Sequence, residues 1–207
     1  MSRQRQDRAL HTRATIVRAA AEVFAEQGYA GASVTRITER AGLTMGAMYF
    51  HFKNKAALAR EIVLDQPGRV QTPRTSVGLQ HAVDITLAWA RQLLDDPVLL
   101  AGARLVMEQE EFIGPEQNSH QQWVRIFEAE LATAEERGEL LDGCDRGALA
   151  RLIVNACTGA QMHAQMATGH RDLPVRVAEM WGCLLPALAT PEARAAIDLD
   201  ISRGKAS

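Results

Sequence analysis

No stretch of this chain approaches the ~20 consecutive apolar residues that a helix needs to span a bilayer. The polar N-terminus lacks the apolar core of a signal peptide. Neither a membrane-embedded nor a secreted protein is expected, which leaves the cytoplasm. Cysteine is scarce: Cys144, Cys157 and Cys183 are an odd number without C-x-x-C spacing, which reads as reduced thiols rather than a disulfide framework. The six histidines never recur as H-x-x-x-H, and no Glu-x-x-His pair occurs, which speaks against a di-metal bundle. A Gly-rich phosphate loop and a nucleophile elbow are also missing. Neither catalytic residues, metal nor cofactor is expected, and an enzyme has nothing positive in its favour. Alternating β-patterns, internal repeats and low-complexity tracts are absent too.

What remains is a chain of 207 residues, 47% hydrophobic and 23% charged, the balance of a globular protein. Its length allows one sizeable domain or a small domain joined to a larger one. The net charge of −2 hides an asymmetry. Residues 1–60 hold ten Lys/Arg against four acids, a net of +6, and the remainder holds 13 against 21, a net of −8. A cationic head on an anionic body points to a head that meets a polyanion, although a solvated charged surface gives the same count.

Almost every segment has helical periodicity. Ile16, Ala19, Ala20, Val23 and Phe24 form one apolar stripe, ended by Gly28. Ser33 is placed to cap a second helix bearing Val34, Ile37 and Ala41, stopped by Gly42. Thr44 caps a third, short helix through about Phe52, and Asn54 a fourth bearing Leu58, Ile62 and Val63. The Pro/Gly-rich run "DQPGRVQTPRT", residues 65–75, marks a boundary. Long helices follow near 76–95, 97–111, 115–137, 145–168, 174–188 and 191–199. Pro97, Pro115, Pro174 and Pro191 suit first-turn positions, whereas Pro186 should kink or end its helix. The expectation is an all-α chain, with a three-helix head over residues 1–60 and a larger helical body over 61–207.

The stretch "TRITERAGLTMGAMYFHFKNK", residues 35–55, has the layout of a helix-turn-helix. Gly42 turns the chain with a positive φ, and Leu43 and Phe52 bury beside Ile37 and Phe24 to fix the angle between the helices. Thr44, Met45, Gly46, Ala47 and Tyr49 are then left at the start of the second helix, the part of such motifs that enters the major groove. Gly46 lets backbone approach a base edge, and Thr44 with the open N–H groups suits a phosphate. Lys53 and Lys55 are expected to neutralise phosphates. Ser33, Thr35 and His51 complete the candidate DNA-binding set. The same helix–Gly–helix pattern also occurs as plain bundle core.

These residues carry a family resemblance. Ile37, Ala41, Gly42, Leu43, Thr44, Gly46, Met48, Tyr49, His51, Phe52, Lys55 and Leu58 fall in register with the signature of TetR-type repressors. "TRATIVRAAAEVFAEQGYAGASV" resembles that family's first helix and Gly-Tyr turn. "MGAMYFHFKNKAALA", "DDPVLLAGARL" and "LLPALATPEARAAIDLD" are similar to the actinobacterial γ-butyrolactone receptor group. That group commonly has a base-reading lysine where this chain has Met45. A thioether cannot donate to guanine, so the operator differs or Met45 meets a thymine methyl.

The resemblance implies a homodimer that binds double-stranded operator DNA and is released by a small, γ-butyrolactone-like effector. Trp123 matches a tryptophan that lines the lactone pocket in the resembling receptors, Gln161 lies at the matching place on the next long helix, and Thr158 is close to it. Gln66, Trp89, Leu105 and Met107 are further candidates. A flat apolar ring suits an alkyl lactone, but a tryptophan on an amphipathic helix serves equally as core. The helix at 145–168, with Leu149, Leu152, Ile153, Ala156 and Ala160, is a candidate dimer face. So is the helix at 174–188, with Leu173, Val177, Met180, Trp181, Leu184, Leu185 and Leu188, although the same breadth suits the central helix of the bundle. Other readings are a pseudo-receptor that answers to an antibiotic or furan-type signal, and a helical ligand carrier or enzyme without DNA binding.

Overall fold

A computed structural model describes residues 2–72, 75–114 and 118–205. It is all-α: among the described residues there is no strand, and β-type pairing is limited to an isolated bridge between Leu140 and Ala189. The chain forms two compact units. The first comprises the chain up to Arg69 together with Asp96–Ser119, and the second Val70–Asp95 together with the chain from His120 onward.

In the first unit α1 (Ser2–Gly31) is longer than its apolar stripe, and its regular geometry breaks at Gly28, with φ 71° and ψ −177°. Three short helices follow, α2 (Val34–Ala41), α3 (Met45–His51) and α4 (Lys55–Leu64), and each starts on its expected cap. The Ser33 hydroxyl accepts from the Arg36 N–H, the Thr44 hydroxyl from Ala47 and the Asn54 side chain from Ala57. A single turn, α5 (Gln66–Arg69), lies inside the Pro/Gly-rich boundary. The helix expected over 97–111 is instead α7 (Pro97–Leu105) followed by a 3-10 segment, Val106–Glu111. It packs on α1 and α4. One core joins these elements: Ile16, Phe24, Ile37, Met48, Phe52, Leu58, Leu105 and Phe112 are buried together.

The second unit contains α6 (Gly78–Gln92), α8 (Ser119–Glu136, from its second residue), α9 (Arg146–Thr168), α10 (Leu173–Leu188) and α11 (Pro191–Ala196). Pro97, Pro174 and Pro191 occupy first-turn positions, while Pro115 lies outside the described residues. Pro186 sits inside α10, which ends two residues later at Leu188. Trp181 is sealed at the centre of the unit, where its indole N–H donates to the Thr86 hydroxyl at 2.8 Å. The expected dimer stripes are divided: Ile153, Leu173, Val177, Trp181, Leu185 and Leu188 are buried within one copy, whereas Leu149, Ala156, Ala160, Met180 and Leu184 are half-buried and Leu152 is exposed. The outward apolar side chains of α9 and α10 are Leu152, Met162, Met166 and Val175.

The chain's end is held by a buried ion pair. Arg203 donates to both carboxylate oxygens of Asp84 on α6, at 2.6 and 2.8 Å, and Ser76 and Gln80 donate to the same group. Burial pushes the Asp84 carboxyl up, but these donors outweigh it and leave the pKa below the ordinary value. Arg203→Met strands a buried carboxylate and should cost the unit about 3–5 kcal/mol in urea denaturation. Because the folded pKa of Asp84 is depressed, its stabilisation is complete above the ordinary carboxyl range and is lost as pH falls through the folded value. The variant should accordingly lose the acid-dependent part of that stability.

Candidate functional site

The turn between α2 and α3 is built by local rules. Gly42 has φ 65°, which an L side chain adopts reluctantly, and its N–H donates to the Glu39 carbonyl. The Leu43 N–H closes on the Thr38 carbonyl at 3.0 Å. α3 then turns Met48 inward, and Phe52 follows it just past the helix end. Its opposite face is left to solvent: Met45 is 46% exposed, Tyr49 49% and Phe50 81%. Thr44 and Gly46 are exposed beside them, and Ala47 is half-buried. Thr44 closes the N–H groups of Ala47 and Met48, leaving those of Met45 and Gly46 open at the helix start.

Gly46 is not required by the fold. A Cβ built there meets nothing nearer than the Thr44 hydroxyl at 3.8 Å, so no contact within the protein demands a bare position. Phe50 was not legible as a surface residue from its aromatic neighbours. The spacing from Gly46, one helical turn earlier, is the signal that puts it on the open face. His51 is half-buried and packs edge-on against the Phe50 ring.

Ser33 and Thr35 are exposed at the start of α2, but the Ser33 hydroxyl is already occupied as the cap. Lys53 is exposed and, among the described residues, its side chain makes no hydrogen bond; Arg36 on α2, absent from the expected set, is in the same position. Lys55 departs from expectation. Its ammonium donates to the carbonyls of Tyr29 at 2.7 Å and Ala32 at 3.0 Å, and lies 4.2 Å from the Tyr29 ring centroid. It is an internal brace rather than a phosphate contact. Other cations of the head are similarly engaged, with Arg13 paired to Glu61 and Arg40 to Glu26.

The residues expected to meet an effector divide between the units. In the first, Gln66 is buried, donates to the Val63 carbonyl at 3.2 Å and lies against Gly102, where a Cβ would meet its amide at 2.6 Å. Leu105 is sealed in that unit's core, so it is a packing residue and not a wall, while Met107 is 52% exposed. In the second unit Trp123 is half-buried on α8 and stacks on Phe127 with centroids 6.3 Å apart. Trp89 is also half-buried. The Thr158 hydroxyl donates back to the Val154 carbonyl, and the amide of buried Gln161 meets His170 at 3.0 Å. Burial lowers the His170 pKa against the opposing pull of Asp172. A groove of about 610 Å³ in this unit is lined by Glu128, Glu135, Cys144, Asp145 and Arg146, and includes none of the expected residues. Its polar lining does not suit an alkyl lactone.

A cored helix-turn-helix with a bare first turn, carried by a chain with a separate helical unit, defines a DNA-binding regulator. Residues 16–62 match the family of bacterial regulatory proteins described as tetR, and residues 76–190 match the tetracyclin repressor-like C-terminal domain. The chain belongs to the TetR family. It is 36% identical to the A-factor receptor protein of Streptomyces griseus over 90% of this chain and 67% of that one. It superposes on full-length native TylP, a TetR regulator from Streptomyces fradiae, with TM-score 0.86 and 37% identity over 95% of both chains. A γ-butyrolactone receptor described as ArpA-like matches with TM-score 0.71 and 28% identity, again over 95% of both chains.

Two measurements test this assignment of roles. Gly46→Ala should fold normally, gaining up to about 1 kcal/mol of helix stability, yet bind operator DNA more weakly. In salt titrations Lys53→Gln should flatten the log K against log salt slope by about 0.9, the contribution of one phosphate. Lys55→Gln should leave that slope unchanged and lower the head's stability instead.

Proposed function

We propose that this protein is a homodimeric repressor whose hold on its operator is loosened by a γ-butyrolactone-type signal. The observation that carries the DNA-binding half is the open face of α3, with Met45, Gly46, Tyr49 and Phe50 outward and Met48 and Phe52 inward. Thr44, Ala47, Thr35 and His51 flank that face, and Lys53 and Arg36 supply cationic margins. Met45 reads a thymine methyl where relatives of this kind use a lysine. Residues 1–60 act as the DNA-binding domain and 61–207 as the effector-binding and dimerisation domain, in a regulator that is not an enzyme and works where the chromosome is, in the cytoplasm.

Surface chemistry supports the dimer. Leu152, Met162 and Met166 on α9 and Val175 on α10 stay exposed in one copy, and a Cβ at Gly159 or Gly182 on the same two helices would meet nothing within 4 Å. A second copy packed there removes this apolar surface from water. It also supplies two recognition helices about one DNA turn, ~34 Å, apart.

The effector class rests on the kinship to γ-butyrolactone receptors and on Trp123, whose half-buried ring offers a flat apolar surface. Trp89, Thr158 and Gln161 lie in the same unit, and binding there competes with the Gln161–His170 contact. A ligand that favours one of two arrangements by about 1–3 kcal/mol changes operator affinity roughly 5–150-fold.

The test is a salt-controlled gel shift with the DNA upstream of the protein's own gene, titrated with defined γ-butyrolactones, furans and antibiotics. Lactones should release the wild-type protein. Trp123→Ala should keep operator binding within about twofold and lose release. Release by furans or antibiotics alone would overturn the lactone assignment, and undiminished release of the Trp123 variant would overturn the pocket.

A further inference from the structure

The break at Gly28 interrupts the regular helix, and both the turn before it and the turn after it take hydrogen bonds from elsewhere in the fold. Both are supplied from one distant segment, the end of α7 and the 3-10 segment that follows. The Arg104 Nη1 donates to the Ala25 carbonyl at 2.6 Å. The Glu108 Oε2 accepts from the Tyr29 N–H at 3.0 Å and the Ala30 N–H at 3.4 Å. Gly28 makes room for this, since a Cβ there would lie 2.7 Å from the other Glu108 oxygen.

The grip extends beyond the backbone. The Tyr29 ring lies between Phe24, at 6.2 Å, and Phe112, at 4.7 Å. The Phe112 carbonyl in turn accepts from Arg60 on α4 at 2.9 Å. Lys55 holds the far side of the same corner through the Tyr29 and Ala32 carbonyls. The corner leads through Ser33 directly into α2, so its geometry sets where the helix-turn-helix begins. Residues 96–119 belong to the first compact unit, yet at both ends they continue along the chain into the second.

We propose that Arg104 and Glu108 are positioning residues for DNA binding: a cation and an anion that clasp the two sides of the Gly28 break and fix the entry of α2. Neither is a DNA contact. The clasp rests on the regulator reading above but not on the identity of the effector. Charged partners on both sides of a helix break make the corner stiff, because opening it breaks charge-assisted hydrogen bonds to a carbonyl and two N–H groups at once.

The experiment compares full-length wild type with Glu108→Ala, Glu108→Gln and Arg104→Gln, measuring operator affinity at fixed salt and amide exchange by NMR. In Glu108→Ala the Tyr29 and Ala30 amides should exchange about tenfold faster or more, while exchange across α9 stays unchanged. Operator affinity should fall roughly 5–50-fold, with Glu108→Gln intermediate because its amide oxygen still accepts. Arg104→Gln should weaken binding in the same direction without altering the salt slope, as expected of a residue that meets no phosphate. Unchanged exchange at Tyr29 and Ala30 would overturn the clasp, and faster exchange with affinity within twofold of wild type would overturn its positioning role. A wild-type chain that bound no duplex would instead remove the regulator reading beneath it.

Discussion

Ile37, Met48 and Phe52 are drawn into the same core as Ile16 and Phe24, and the rest of the DNA-binding unit depends on that shared burial. Each such side chain contributes about 1.5–3 kcal/mol when removed from water, more than any single cap or turn hydrogen bond nearby. With one face of α3 claimed in this way, its other face has no partner inside the molecule. Thr44 and Gly42 refine the result: one closes two N–H groups at the start of α3, and the other turns the chain sharply enough for the two helices to share a core. The exposed face is therefore a consequence of packing.

Charge is distributed with a similar division of labour. The +6 of residues 1–60 suggests a broad cationic surface, but much of it is spent internally. Lys55 caps carbonyls, Arg60 holds Phe112, and Arg13 and Arg40 pair with carboxylates. The cations left for a polyanion flank α3 or extend along the start of α1, where Arg5 and Arg8 are exposed. Arg13 and Arg40 are thus neutralised by carboxylates, whereas Lys55 and Arg60 keep their charge but are held in place by carbonyls.

How much of this was legible in the sequence follows from how local each determinant is. Caps, the Gly42 turn and first-turn prolines act within four residues, and Ser33, Thr44, Asn54, Pro97, Pro174 and Pro191 all do what their spacing implies. The roles of Lys55 and Leu105 depend on what lies opposite them across tens of residues, and no local pattern carries that. The apolar breadth of α10 was visible, but not whether it marks a partner face or the centre of the bundle. Trp181 fills the centre of its own unit instead of facing a partner. The Arg203–Asp84 pair joins residues 119 positions apart, and the Glu108 contact to Tyr29 spans 79. Both lie beyond periodicity or motif.

The proposed operator contact is the bare first turn of α3. Its most direct test is hydrogen exchange of the intact protein with and without operator duplex, read over residues 44–53. The open N–H groups of Met45 and Gly46 should exchange fast in the free protein and become the most strongly protected on binding. Protection that appears elsewhere, with residues 44–53 exchanging as before, would contradict it.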